Sequence, residues 1–239
     1  MSKSPITANA VLLAGFALVT AFLLAGTQLG TREQIARSER QAAEKALLEI
    51  IPEQSHDNDL LADSLPVPAQ YWAQLGLAEG GDIHVARKDK RIVAVIVPAV
   101  AADGYSGDIR LIVGINMDGR IAGVRVLDHR ETPGLGDKVD LKKSDWILGF
   151  NDKSLINPTP DAWKVKKDGG EFDQFTGATI TPRAVVRQVK LALDYFNADR
   201  ARILGHSTNQ GTNQDGLEQS RDLSASDHAK SGDSNEDKQ

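Results

Sequence analysis

Apolar and polar positions change their rhythm several times along the chain, and each rhythm implies a different element. From Ser4 to Thr31 no charged residue occurs, and residues 8–30 form an almost unbroken apolar run. At about 1.5 Å per residue, that run is long enough to cross the roughly 30 Å hydrocarbon layer as one helix. A cleavable signal peptide would have a shorter apolar region and a clean small-x-small site, which residues 21–25 lack. The run therefore predicts a retained transmembrane helix at 8–30, preceded by a short segment 1–7. Residues 31–51 are rich in helix formers and contain neither Gly nor Pro, with Thr31 suited to the N-cap and Pro52 to end the run. They predict a stalk. Polar, Pro-bearing residues 52–68 read as a linker, and a short helix is expected around Tyr71–Leu77, so that 31–80 forms a helical stalk and linker.

A period of two follows. Asp82–Ala86 and Arg91–Val97 flank Lys88-Asp89-Lys90, and Arg110–Ile115 and Ile121–Leu127 flank a turn ending in Asp118-Gly119. Both pairs predict antiparallel hairpins in a sheet with one buried face. Ser144–Phe150 opens with a cap signal and predicts a short helix turning Trp146 and Ile147 inward. Thr181 suits an N-cap and Pro182 the first helical position of a last helix running to about Asn197. Val185, Val186, Val189, Leu193 and Phe196 share one face of it and should pack on the sheet. Strands and helices do not alternate, so the fold class is α+β, with an antiparallel sheet and flanking helices in a domain at 81–205. From His206 to Gln239 only Leu217 and Leu223 are large and apolar. That segment predicts a disordered acidic tail, because it cannot bury enough surface to offset its ordering entropy.

Composition narrows the chemistry. The formal charge is −5 over 239 residues, which offers no basic face for nucleic acid. There is no cysteine, so disulfides, iron–sulfur clusters and thiol nucleophiles are excluded. The five histidines are scattered, and no metal site is expected. Lys3 stands before the apolar run and Arg32, Arg37 and Arg40 after it, which favours keeping the domain inside. Large domains translocate largely regardless of such charges, so sidedness stays open on charge alone.

The stretch richest in chemistry is Asp173-Gln174-Phe175-Thr176-Gly177-Ala178-Thr179, immediately before the last helix. Small residues there admit a bulky anion, and free N–H groups with the helix dipole favour phosphate. The same residues also suit a capping turn in which Thr179 only hydrogen-bonds to backbone. A second string, Glu131-Thr132-Pro133-Gly134-Leu135-Gly136, reads as a tight loop in which Thr132 is held extended before Pro133 and Gly134 and Gly136 permit positive φ. Tyr105, in Gly104-Tyr105-Ser106-Gly107, serves either as a stacking wall or as a rim aromatic. His129 reads as a hydrogen-bonded residue at a strand end. Lys166 to Gly170 reads as a solvated turn.

These strings occur in register with the N-terminal apolar run, and together they closely resemble the G subunits of the bacterial Rnf (Rsx) electron transport complex. The chain is more distantly similar to the C subunit of the sodium-translocating NADH:quinone reductase. DQFTGAT matches the D-x-x-[ST]-G-A-[TS] pattern read by flavin transferases. The resemblance covers residues 8 to 200 and implies FMN held covalently as a phosphoester on Thr179, with Thr176, Gly177 and Ala178 around it. It further implies that Glu131, Thr132, Gly134 and Leu135 lie against the flavin ring, near Tyr105. A flavin transferase using FAD, the other subunits of the complex and a single-pass place in the inner membrane with a periplasmic domain follow from the same likeness. No catalytic residue is assigned, since neither a G-x-G-x-x-G motif nor a general-acid set is present. The expected function is electron relay within an ion-translocating ferredoxin:NAD oxidoreductase. The rival is a non-redox, membrane-anchored binding module whose TGAT segment is only a helix-capping turn.

Overall fold

The computed structural model describes residues 9–10, 12–22 and 44–230, with side chains as far as His206. Two compact units are present, Met1–Ala46 and Leu47–Gln239. In the first, residues 12–22 are helical, with Leu12, Phe16, Val19 and Phe22 among the exposed large apolar side chains. Among the described residues, no helix is long and apolar enough to cross a membrane. Residues 8, 11 and 23–30 of the expected span and most of the stalk lie outside the described residues, as do residues 1–7.

The second unit is built on a five-stranded antiparallel sheet in the order β1-β2-β3-β4-β5. Its strands are β1 (Ser64–Pro66), β2 (Asp82–Lys88), β3 (Arg91–Ala101), β4 (Ile109–Asn116) and β5 (Ile121–Asp128). Both predicted hairpins form. Asp89 and Lys90 have φ of 50° and 63°, and Gly119 has φ of 87°, the positive values that tight hairpin turns need. β1 lies where a linker was expected. It was hidden because Pro66 is a poor strand residue, tolerated here because β1 is at the sheet edge.

The sheet is covered on both faces, not one. Val95, Val97, Val113 and Ile115 alternate onto the face that takes the long helix Ile180–Lys230, whose Val185, Val186, Val189, Leu193 and Phe196 are all buried as predicted. The opposite face carries the cross-strand row Ile96–Gly114–Gly123. Leu47, Ile50 and Ile51 are buried, and Ile50 lies over the two glycines, where a Cβ on Gly114 would stand 2.1 Å from Ile50 Cγ2. Glu49 Oε2 accepts from Arg125 Nε at 3.1 Å beside it. Residues expected as stalk and linker thus belong, from Leu47 onward, to the packed unit, because two strand glycines leave a slot that an isoleucine fills.

The long helix continues past its expected end near Asn197. Ile203 is fully buried, and Arg200 donates to the Met117 carbonyl, so tertiary contacts extend the helix by more than a turn. Its backbone stays helical to Lys230, overlapping the segment expected as a tail from His206; residues 231–239 lie outside the described part.

Candidate functional site

Three connections converge where β3 ends and β4 begins: the β3–β4 loop, the segment after β5, and the turn leading into the long helix. They enclose a cleft of about 300 Å³ lined by Tyr105, Glu131, Thr132, Leu135, Gly136 and residues 177–181. Of the sequence-predicted residues, Tyr105, Glu131, Thr132, Leu135, Gly177, Ala178 and Thr179 line this one cleft. Thr176 and Gly134 do not; both are exposed turn positions.

The turn is shaped by its own residues. The Ala178 N–H donates to the Phe175 carbonyl at 3.1 Å, closing a four-residue turn in which Gly177 has φ of 81°. Phe175 anchors it from below, edge-on to Trp146 with ring centroids 5.1 Å apart. Trp146 Nε1 in turn donates to the Asp173 carbonyl at 2.8 Å. Ser144 caps the short helix that carries Trp146, accepting from its N–H at 3.2 Å as its cap signal predicts. Gly134, with φ of 78°, uses its freedom, but Gly136 does not have positive φ. Gly136 is instead required by closeness, since a Cβ there would meet Thr181 Oγ1 at 2.7 Å.

The helix start differs from the expected one. Helical conformation begins at Ile180, and the Thr179 carbonyl accepts the Arg183 N–H at 3.4 Å, which makes Thr179, not Thr181, the N-cap residue. Pro182 then sits in the first turn, where its missing N–H costs no intrahelical bond. The reason is a buried carboxylate: the fully buried Thr181 hydroxyl donates to Glu131 Oε2, and so is not available as a cap. Glu131 Oε1 also accepts the Ser106 N–H at 2.9 Å, and the Glu131 N–H donates to His129 Nδ1 at 3.1 Å. His129 is therefore the hydrogen-bonded strand-end residue that was expected. Sequence reasoning missed Gly136, Ile180 and Thr181 as lining residues. The available signal was Thr181 itself, read as a cap because its polar partner lies fifty residues away.

Thr179 is half-buried and borders the cleft, and its hydroxyl makes no hydrogen bond among the described residues. The N–H groups of Ile180 and Thr181 belong to the helix's first turn and lack intrahelical acceptors by position. Gly177 and Ala178 present almost no side chain beside them. This set fits the phosphate end of a flavin mononucleotide: a free hydroxyl, small neighbours and donors at a helix head. Tyr105, Leu135 and Ile180, all substantially exposed, supply apolar walls for a flat ring. Asp137, next to Gly136, has a buried Oδ1 with no partner, which is the one such side-chain atom among the described residues.

Known proteins share this sequence pattern. The family model described as "FMN-binding domain" matches residues 104–194, and the one described as "RnfG N-terminal region" matches residues 1–50. The G subunit of the ion-translocating oxidoreductase complex of Pseudomonas aeruginosa (strain UCBPP-PA14) is 52% identical over 196 residues, spanning 82% of this chain and 91% of its own. Its namesake from Pseudoalteromonas atlantica is 46% identical over 205 residues, spanning 86% and 94%. That from Vibrio cholerae serotype O1 (strain M66-2) is 46% identical over 195 residues, spanning 82% and 92%. Among solved structures, Shewanella oneidensis NqrC aligns over 62% of this chain and 73% of its own, at 24% identity and a TM-score of 0.42.

Proposed function

The chain belongs to the family of G subunits of ion-translocating oxidoreductase complexes, and from that premise we propose that it is a flavoprotein electron-transfer protein whose FMN is a phosphoester on Thr179. The observation that carries the assignment is the Thr179 hydroxyl, which stands on the wall of the cleft with no hydrogen bond among the described residues. A capping role would have that hydroxyl accept a first-turn N–H, and it accepts none.

Bound FMN supplies one- and two-electron carriage, which no side chain of this cysteine-free chain offers. The protein's part is to hold and orient. The Ile180 and Thr181 N–H groups would hold the charge that a phosphodiester retains, and the helix dipole would stabilise it. Gly177 and Ala178 would let the backbone approach, while Thr132 and Leu135, which line the cleft, would stand beside the ring. Tyr105 would supply a further wall of the cleft. Attachment is the work of a separate flavin transferase that uses FAD, since no base hydrogen-bonds the Thr179 hydroxyl among the described residues. Electrons then pass between other redox centres of the complex, in a ferredoxin:NAD oxidoreductase, and this chain catalyses no reaction alone. We place residues 8–30 across the inner membrane and the sheet domain on its periplasmic side.

Intact mass after coexpression with a flavin transferase tests the attachment. Wild type and Thr179→Ser should gain one FMN, and Thr179→Ala should gain none while its circular dichroism is unchanged. An FMN increment on Thr179→Ala would overturn the assignment. For sidedness, a periplasm-active reporter fused after Asp199 should be active and a cytoplasm-active one silent; the converse would reverse the placement.

A further inference from the structure

Glu131 is an unusual residue for its position. Only 4% of it is exposed, yet among the described residues it has no cationic partner. Burying a carboxylate is costly unless donors replace its water, and an apolar side chain would fill the same space at less cost. What an apolar side chain cannot do is pin two segments in fixed directions. Oε1 holds the Ser106 N–H of the β3–β4 loop at 2.9 Å, and Oε2 holds the Thr181 hydroxyl in the first turn of the long helix. The Glu131 N–H, bonded to His129 Nδ1 at 3.1 Å, fixes the strand end that delivers it. The surroundings are cut to this group: a Cβ on Gly104 would lie 3.0 Å from Oε1, and one on Gly136 would lie 2.8 Å from Oε2. The two elements that wall the cleft from either side, the β3–β4 loop and the helix head, are thus tied to one carboxylate.

We propose that Glu131 is a positioning residue for flavin attachment: acting through Thr181, it sets the first helical turn and thereby the place of the Thr179 hydroxyl two residues earlier. The inference rests on Thr179 being the acceptor. In the attachment step, the Thr179 Oγ1–phosphorus bond forms at the FMN-side phosphorus of FAD. The bond from that phosphorus to the bridging oxygen breaks, AMP leaves, and the hydroxyl proton passes to a base of the transferase or to water. No electrons are exchanged. In-line displacement is sensitive to the nucleophile's position, and a misplacement of about 1 Å costs on the order of 100-fold in rate. The N–H groups of a helix's first turn lack intrahelical acceptors, so a side-chain anchor such as Glu131–Thr181 adds a constraint on where that turn sits.

The test uses the full chain in detergent with a purified flavin transferase and FAD, following the FMN mass increment with time to obtain kcat and KM for the protein substrate. Glu131→Met fills the site without acceptors, and Thr181→Val keeps the shape of Thr181 without its hydroxyl. Each should lower kcat by about 10- to 100-fold and leave KM within about twofold. The double variant should be no slower than the worse single one, since both break one link. Glu131→Gln and Thr181→Ser keep a hydrogen bond between the two positions and should stay within about threefold of wild type. Wild-type kcat in Glu131→Met, an effect confined to KM, or fully multiplicative losses in the double variant would overturn the proposal. Should Glu131→Met fail to fold, the near-isosteric pair Thr181→Val and Thr181→Ser decides it alone, equal rates refuting it. A wild-type chain that gains no FMN would refute the acceptor assignment itself, an outcome distinct from loaded wild type with equally fast variants.

Discussion

Replacing Gly136 by alanine loads a methyl group into a tight part of the cleft wall. The glycine does not need its backbone freedom, since its φ is not positive, so the cost is steric alone. The added Cβ would stand 2.7 Å from Thr181 Oγ1, 2.8 Å from Glu131 Oε2 and 3.0 Å from Glu131 Cβ. Ordinary contact begins at 3.4 Å, so both oxygens must retreat by roughly 0.7 Å. Neither sits at the end of a loose side chain: Thr181 is fully buried and its oxygen is one bond from Cβ. Overpacking of this kind costs about 1–3 kcal/mol, and rupture of the Glu131–Thr181 bond would cost a similar amount by leaving buried partners unpaired. The alanine restricts the unfolded chain and returns about 0.4–1 kcal/mol. The net loss is about 0.5–2.5 kcal/mol, which for a domain of this size lowers Tm by about 1–10 °C. Urea unfolding of the full chain, followed through tryptophan fluorescence, reads it directly, because Trp146 packs on Phe175 beneath the same turn. Gly149→Ala is the control, since a Cβ there meets nothing within 4 Å. A Gly136→Ala midpoint equal to wild type at unchanged slope would show that the wall yields freely, and would refute the reasoning.

Two further outcomes follow from the opposite sheet face. Ile50→Ala should cost about 2–5 kcal/mol as a large-to-small core change, and Gly114→Ala should cost less, by evicting Ile50 from its slot. The double variant should be no less stable than Ile50→Ala; a fully additive loss in urea titrations would mean that Gly114 does not shape that slot. His84, whose Nδ1 lies 3.0 Å from the Leu60 carbonyl, has its pKa lowered mainly by burial, against opposing contributions from that carbonyl and from Asp82. The unfolded chain therefore takes up a proton more readily, and stability should be full above about pH 6.5 and decline as pH falls below it. Urea midpoints between pH 7.5 and 5.5 should slope less in His84→Asn; an identical slope would remove His84 as the cause.

The elements themselves were legible because their rules are local. Alternation of Val and Ile marked β2 to β5, Asp118-Gly119 marked a turn, and Val185 to Phe196 marked the buried helix face, since one face of each element must leave water. The TGAT string before a helix start was legible for the same reason, as was the absence of any cysteine chemistry. β1 was not, because Pro66 is acceptable only at an edge, and the edge exists only after the sheet has assembled. Ile50 over Gly114 and Gly123 was hidden likewise: a strand glycine has meaning only when register brings a second one beside it and a distant side chain fills the gap. The deepest miss was Thr181, whose local setting offers a helix cap. Its fate depended on Glu131, fifty residues earlier in the chain and deprived of water by the fold. A buried carboxylate must find donors wherever the folded chain supplies them, so tertiary structure, not sequence spacing, moved the cap to Thr179 and left that hydroxyl free at the cleft.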